Sequence, residues 1–172
     1  MIGSDSDLRQ CLPGMEYLEN KAMDGIIRNS PTVITCSIHR NTNQVLENLS
    51  RLAVLDTDCL IVGAGMANHL SGTADAFLRN SLKNDRMVII AVAFRHNEEI
   101  NTRAAVLSIT QVPGHQMVYN DYVGEEGFLE ACKFAVEGTL PKITIPAKRP
   151  ARRRHLTAAI SEAKRLLEKE TK

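Results

Sequence analysis

A chain of 172 residues, 44% hydrophobic and 24% charged, has the size and composition of one soluble globular domain with a real core. Its net charge of +1 gives no global reason to expect nucleic acid or an anionic membrane as partner. No apolar run approaches the ~20 residues of a membrane helix, and no basic-then-apolar leader opens the chain.

The elements follow in chain order. Gly3-Ser4-Asp5-Ser6-Asp7 is a small-residue loop preceded only by Met1 and Ile2, so the strand before it is either very short or the end of a longer one. Leu8, Leu12, Met15 and Leu18 recur at helical spacing. Pro13 belongs near a first turn, so this helix should start late or kink. Thr32 to Cys36 is β-branched and reads as a strand. Val45, Leu46, Leu49, Leu52 and Ala53 give a helix with one apolar face. Cys59 to Val62 is a short buried strand, followed by a helix from about Leu70 to Leu82. Met87 to Ala93 is a near-continuous apolar run, typical of a parallel strand covered on both faces. Gln116 to Tyr119 suggests another strand. Glu125 to Val136 suggests a helix with Phe128, Leu129, Cys132 and Val136 inward. The alternation predicts a three-layer α/β domain with a central parallel sheet.

After Pro141 the chain changes character. Residues 147–172 read as a connector with a basic stretch from Lys148 to Arg154, then a helix with Leu156, Ile160, Ala163 and Leu167 on one face. That stripe lies outside a finished α/β unit, so a neighbouring subunit is its expected cover. Arg152-Arg153-Arg154-His155 reads as a solvated or subunit-contacting segment, not a nucleic-acid site. The four cysteines, Cys11, Cys36, Cys59 and Cys132, lack metal or redox spacing. Cys36 and Cys59 read as buried thiols. A reduced, cytoplasmic setting fits them.

Three loops carry the chemistry, and two of them leave apolar strands at carboxyl ends, where open α/β sheets bind ligands. In the first, small residues before a helix suit a phosphate, and Asp5 and Asp7 suit sugar hydroxyls. A plain N-capping loop would use the same residue types. In the second, Ser37-Ile38-His39-Arg40, a hydroxyl and a guanidinium can hold phosphate oxygens, and imidazole titrates near neutral pH. The third, Gly63 to Leu70, is no dinucleotide fingerprint, since G-x-G-x-x-G fails at Asn68. It suits a main chain lying against a flat heterocycle, with Asn68 or His69 reaching a polar substituent; a ligand-free strand-to-helix turn is the alternative. A Ser-His-Asp hydrolase lacks its G-x-S-x-G elbow, and the histidines and acids lack metal-ligand spacing.

These residues together resemble the 5-(carboxyamino)imidazole ribonucleotide mutases and related carboxylases of purine biosynthesis. Gly3 to Asp7 matches a Gly-Ser-x-Ser-Asp loop, and Ser37 to Arg40 matches Ser-Ala-His-Arg. Gly63 to Gly72 matches Gly-Ala-Gly-Gly-Ala-Ala-His-Leu-Pro-Gly, and Ser108 to Pro113 matches Ser-Ile-x-Gln-Met-Pro. The resemblance implies a flavodoxin-like αβα fold with an extra C-terminal helix, and an octamer whose sites lie between subunits. It implies that Ser4, Ser37 and Arg40 hold the substrate phosphate, with Asp5 and Asp7 in the same substrate-binding loop and Asp7 on the ribose hydroxyls. Ala64, Gly65, Asn68, His69 and Leu70 would cradle the imidazole and its carboxylate. His39 would be the general acid and base, with no metal and no organic cofactor.

Departures from the pattern bear on the reaction. Ile38 replaces alanine, Asn41-Thr42 replaces Thr-Pro, Met66 and Asn68 replace glycine and alanine, and Ser71 replaces proline. Asn68 and Ser71 are similar to the branch that carboxylates aminoimidazole ribonucleotide directly with carbon dioxide; Arg40 and the acidic first loop are similar to the mutases. Phe94 to Glu99 replaces a proline-rich strand end. The mutase is the reading adopted. The direct carboxylase and a non-catalytic phosphoribosyl-ligand binding protein are the alternatives.

Overall fold

The computed structural model describes residues 1–55, 57–147 and 150–170. Lys148 and Arg149 of the basic connector, and the last two residues of the C-terminal segment, lie outside the described residues.

A short 3-10 turn, Asp5–Asp7, leads into α1 (Leu8–Met23). Then come α2 (Thr42–Val54), β1 (Cys59–Ala64) and α3 (His69–Ala76), which continues as a π-helical turn, Phe77–Ser81. β2 (Val88–Ala93), α4 (Glu99–Thr110), α5 (Gly124–Glu137) and α6 (Leu156–Glu170) complete the order.

The sheet is parallel and open. β1 and β2 pair in register from Cys59 with Val88 to Ala64 with Ala93. Single parallel bridges extend it on both sides: Ile2 pairs with Gly63 and with Thr35, while Ile90 pairs with Val118 and Ala93 with Val123. Numbered along the chain, the extended segments run 2-1-3-4-5, the flavodoxin-like order, with its switch point between the first and third. The regions read as strands at Thr32–Cys36 and Gln116–Tyr119 are therefore extended, but each pairs at isolated positions. Around Thr35 the reason is local. Ile2 offers one pairing position, donating to the Ile34 carbonyl and accepting from Cys36, both at 2.8 Å.

The alternation of β2 separates two helical layers. Ile89, Ala91 and Ala93 pack with Val45 and Leu49 of α2, Leu70 and Ala74 of α3, and Ala105 and Ile109 of α4. Val88, Ile90 and Val92 pack on the other face with Cys11 of α1 and with Phe128, Ala131 and Cys132 of α5. A strand covered on both faces needs no polar side, which explains its apolar run.

Helix α1 differs from its sequence reading. It begins at Leu8 and continues through Pro13, which lies beyond the first turn. Leu12 is 52% exposed, so the inward face instead carries Cys11 and Gly14. The side chains of α5 decide this: a Cβ on Gly14 would stand 2.5 Å from the Phe128 ring and 2.8 Å from the Cys132 sulfur. Only glycine lets the two helices approach so closely.

Cys11, Cys36 and Cys132 are buried, while Cys59 is only half-buried at the start of its strand. No helix among the described residues is long and apolar enough to cross a membrane. Along α6, Leu156, Ile160 and Leu167 are 77%, 48% and 64% exposed.

Candidate active site

Strand ends at the switch point bring the three loops together. The Gly3 amide donates to the Gly63 carbonyl at 3.0 Å, which joins the first loop to the end of β1. A guanidinium nitrogen of Arg40 lies 3.4 Å from the Gly3 carbonyl, which brings the second loop to the first. His39 Nε2 lies 3.1 Å from His69 Nδ1, and this joins the second loop to the third. The two rings meet edge to face, with centroids 5.2 Å apart.

Local chemistry sets each side chain. Ser4 caps the 3-10 turn, accepting from the Ser6 amide at 3.4 Å and the Ser6 hydroxyl at 2.9 Å. Its own hydroxyl proton can still be donated to a ligand oxygen. Ser37 is buried; its amide donates to the Asn41 side-chain oxygen at 3.3 Å, and its carbonyl accepts from the Asn41 amide at 2.7 Å. That closed turn leaves His39 and Arg40 exposed at the start of α2. Asp5 is exposed and Asp7 half-buried. Burial raises the Asp7 carboxyl above its usual range, opposed by backbone hydrogen bonds from Gly65 and Ser4 and by the charges of Arg9 and His96.

The third loop is tight against its neighbours. A Cβ on Gly65 would lie 3.7 Å from the Asp7 carboxylate and 3.8 Å from the Phe94 carbonyl. Met66 has φ of 55°, the left-handed region that glycine occupies without penalty. The methionine there, 56% exposed, holds a strained conformation at the mouth of the cradle. Ala64 is buried, and Leu70 belongs to the core below α3.

Asn68 and His69 diverge. His69 is exposed toward His39, whereas Asn68 is 0% exposed and its carboxamide bonds inward to Val92 and Ser71. Sequence spacing placed both residues in the cradle and could not separate their directions. It also gave no hint that Ser108, forty positions further on, accepts the Asn68 amide at 2.6 Å.

A cleft of about 370 Å³ lies beside the first turn of α1, lined by Arg9, Gln10, Arg95, His96, Asn97, Glu125 and Glu126. Gln10 braces its rim, donating to the Arg95 carbonyl at 3.0 Å and accepting the Arg95 amide at 2.8 Å. Among the described residues, no group of three or more His, Cys, Asp or Glu side chains is arranged to hold a metal ion.

A family model described as AIR carboxylase matches residues 1–152, from the first residue to the connector that follows α5. The chain belongs to the AIR carboxylase family. Among curated proteins, none matches the chain. AIR carboxylase membership makes it a carboxyl-handling enzyme of purine biosynthesis whose substrate is a small imidazole ribonucleotide. The match ends at residue 152, four residues before α6 begins.

Arg40 places a guanidinium nitrogen against the first-loop backbone, 3.4 Å from the Gly3 carbonyl. Arg40→Ala is expected to weaken binding of the ribonucleotide more than binding of the dephosphorylated nucleoside. A charge-assisted phosphate contact is worth roughly 1.5–3 kcal/mol. Titration of both ligands into both proteins measures the difference; equal losses would remove Arg40 from the phosphate.

Proposed function

We propose that this chain is a 5-(carboxyamino)imidazole ribonucleotide mutase, moving the carboxyl group from the exocyclic nitrogen to carbon 4 of the ring. The contact between His39 and His69 at 3.1 Å carries this reading. Ser4, Ser37 and Arg40 would hold the phosphate, Asp7 the ribose hydroxyls, and the Ala64–Leu70 loop the ring; Asp5 would remain at the rim of the first loop.

The reaction needs one proton delivered and one removed. As the nitrogen–carbon bond breaks, carbon dioxide leaves and the exocyclic nitrogen takes a proton. Carbon 4 then attacks the retained carbon dioxide and gives up its own proton, so the exchange balances with no net acid or base consumed. A single imidazole near the ring can give the first proton and take the second. At 3.1 Å the facing nitrogens of His39 and His69 can hold one proton between them, giving His39 a partner in either protonation state. Holding carbon dioxide beside the ring replaces a bimolecular encounter with an intramolecular one.

The inward direction of Asn68 and Ser71 favours the mutase over the direct carboxylase. The two substitutions that lean toward the carboxylase turn their polar groups into the protein and away from the cradle. The deciding experiment supplies 5-(carboxyamino)imidazole ribonucleotide without bicarbonate and follows formation of 4-carboxy-5-aminoimidazole ribonucleotide. Turnover is expected. Activity solely on aminoimidazole ribonucleotide with carbon dioxide would place the chain in the carboxylase branch. Retained ribonucleotide binding with turnover of neither substrate would leave a non-catalytic phosphoribosyl-ligand binding protein, and weak or absent binding of both would sink the reading.

The assembly proposed with this function is a homo-oligomer larger than a dimer, consistent with an octamer. The exposed stripe of Leu156, Ile160 and Leu167 supports it, because burying such a face stabilises by about 25 cal/mol per Å². Light scattering at micromolar concentration is expected to give a mass above that of two chains; a stable monomer would contradict the proposal.

A further inference from the structure

The segment that presents His69 is tied down by a buried polar network. Asn68 is the N-cap of α3, and its side-chain oxygen accepts from the Ser71 amide at 3.1 Å and lies 2.9 Å from the Ser71 hydroxyl. An amide N–H can only donate, so the carboxamide orientation is determined by chemistry. Its nitrogen donates to the Val92 carbonyl of β2 at 2.9 Å. The Asn68 backbone amide donates to the Ser108 hydroxyl of α4 at 2.6 Å, and that hydroxyl donates to the Ala105 carbonyl at 2.9 Å. The Ser71 hydroxyl also lies 3.1 Å from the Val62 carbonyl of β1. Two strands and two helices thus meet around one residue, and the next residue in the chain is His69.

The two side chains form one unit. A proline at 71 would have no N–H to give, and an alanine at 68 would have no oxygen to receive it. Asparagine and serine at these positions make up a single donor–acceptor pair, and both are 0% exposed. Removing one partner orphans a buried group, whereas removing both does not.

We propose that Asn68 and Ser71 are positioning residues: their coupled hydrogen bonds hold His69 at the distance from His39 at which the two rings share a proton. Neither side chain is assigned a contact with substrate. The proposal rests on the proton-moving role proposed for His39, and its test includes a measurement independent of turnover.

The full chain is compared with Asn68→Ala, Ser71→Ala and the double variant Asn68→Ala/Ser71→Pro. Thermal unfolding, titration with 4-carboxy-5-aminoimidazole ribonucleotide, kcat and KM, and the ring-proton NMR signals of all five histidines are recorded. Asn68→Ala is expected to keep product binding within about threefold, a shift of ~0.7 kcal/mol or less, while kcat falls at least about tenfold. The signals of His39 and His69 are expected to move together while those of His96, His115 and His155 stay. The double variant should recover part of both effects, because proline removes the donor that alanine orphans and is tolerated in the first turn of a helix. An Asn68→Ala protein with unchanged kcat and unmoved His39 and His69 signals would overturn the proposal. So would a loss of activity that follows the unfolded fraction alone. Should Asn68→Ala fail to fold, Ser71→Ala bears the same ring-signal criterion, because it keeps the amide cap and deletes only the hydroxyl. If the unaltered chain turns over neither ribonucleotide, the functional reading fails, and the ring signals still decide the positioning role.

Discussion

Replacing His39 by asparagine is expected to abolish turnover while ribonucleotide binding stays within about tenfold, a change of ~1.4 kcal/mol or less. Asparagine keeps a polar side chain at the carboxyl end of the strand region yet cannot exchange a proton near neutral pH. The residues proposed for phosphate and ribose, Ser4, Ser37, Arg40 and Asp7, stay in place because they are held by backbone contacts of their own. Loss of the ring also leaves His69 Nδ1 without the partner it has at 3.1 Å. Binding measured with 4-carboxy-5-aminoimidazole ribonucleotide, beside turnover in both directions, separates the two effects. Retained activity would take His39 out of the mechanism. A loss of binding far beyond tenfold would make it an anchor instead of a proton carrier.

Arg79→Met is expected to destabilise the protein by about 3–5 kcal/mol, the cost of leaving one partner of a buried ion pair uncompensated. Arg79 and Asp75 are 2% and 4% exposed, one turn apart, with Nε to Oδ1 at 3.1 Å. The other guanidinium nitrogens donate to the carbonyls of Asn84 and Met87, each at 2.6 Å. The second Asp75 oxygen accepts the Gln116 amide at 3.0 Å. This pair therefore pins the π-helical turn to the entry of β2 and to the edge segment that follows. In the variant, Asp75 remains buried with one amide donor. Thermal unfolding should show Tm falling on the order of 10 °C. The double change Asp75→Leu/Arg79→Met should recover much of that loss, because it removes both charges together. A single variant within about 1 kcal/mol of the parent would show that the charges are solvated in solution.

Local pattern alone was enough for the elements with strong periodicity or continuous burial. Met87 to Ala93 is apolar because both faces of β2 are covered, and α5 shows its apolar face through Phe128 and Cys132, although Leu129 and Val136, read as inward with them, are only half-buried and Gly127 and Ala131 take their place. The order of the three loops, and the places of the second and third after short apolar runs, also followed from residue types. Helix α4 did not: Ala105 and Ile109 are its buried residues, and so weak a stripe carries little periodic signal. The extended segments around Thr35 and Val118 pair at single positions, so their type was legible and their extent was not.

Within the candidate site the division is sharper. Residue chemistry pointed to His39, Arg40 and His69 as exposed polar groups, and spacing put Asn68 beside them. Only the tertiary structure decided that Asn68 faces away. Direction at an N-cap is set by the helix that follows and by acceptors on other elements, here Val92 of β2, with Ser108 of α4 receiving the backbone amide. Likewise, Pro13 and Leu12 suggested a late or kinked first helix with Leu12 inward, until the rings and sulfur of α5 chose the face around Gly14. Hydrophobic periodicity is a property of neighbours along the chain and can be read there. The meeting of His39 with His69, and of Asn68 with β2 and α4, depends on segments 24 to 40 residues apart, brought together by the packing of the sheet.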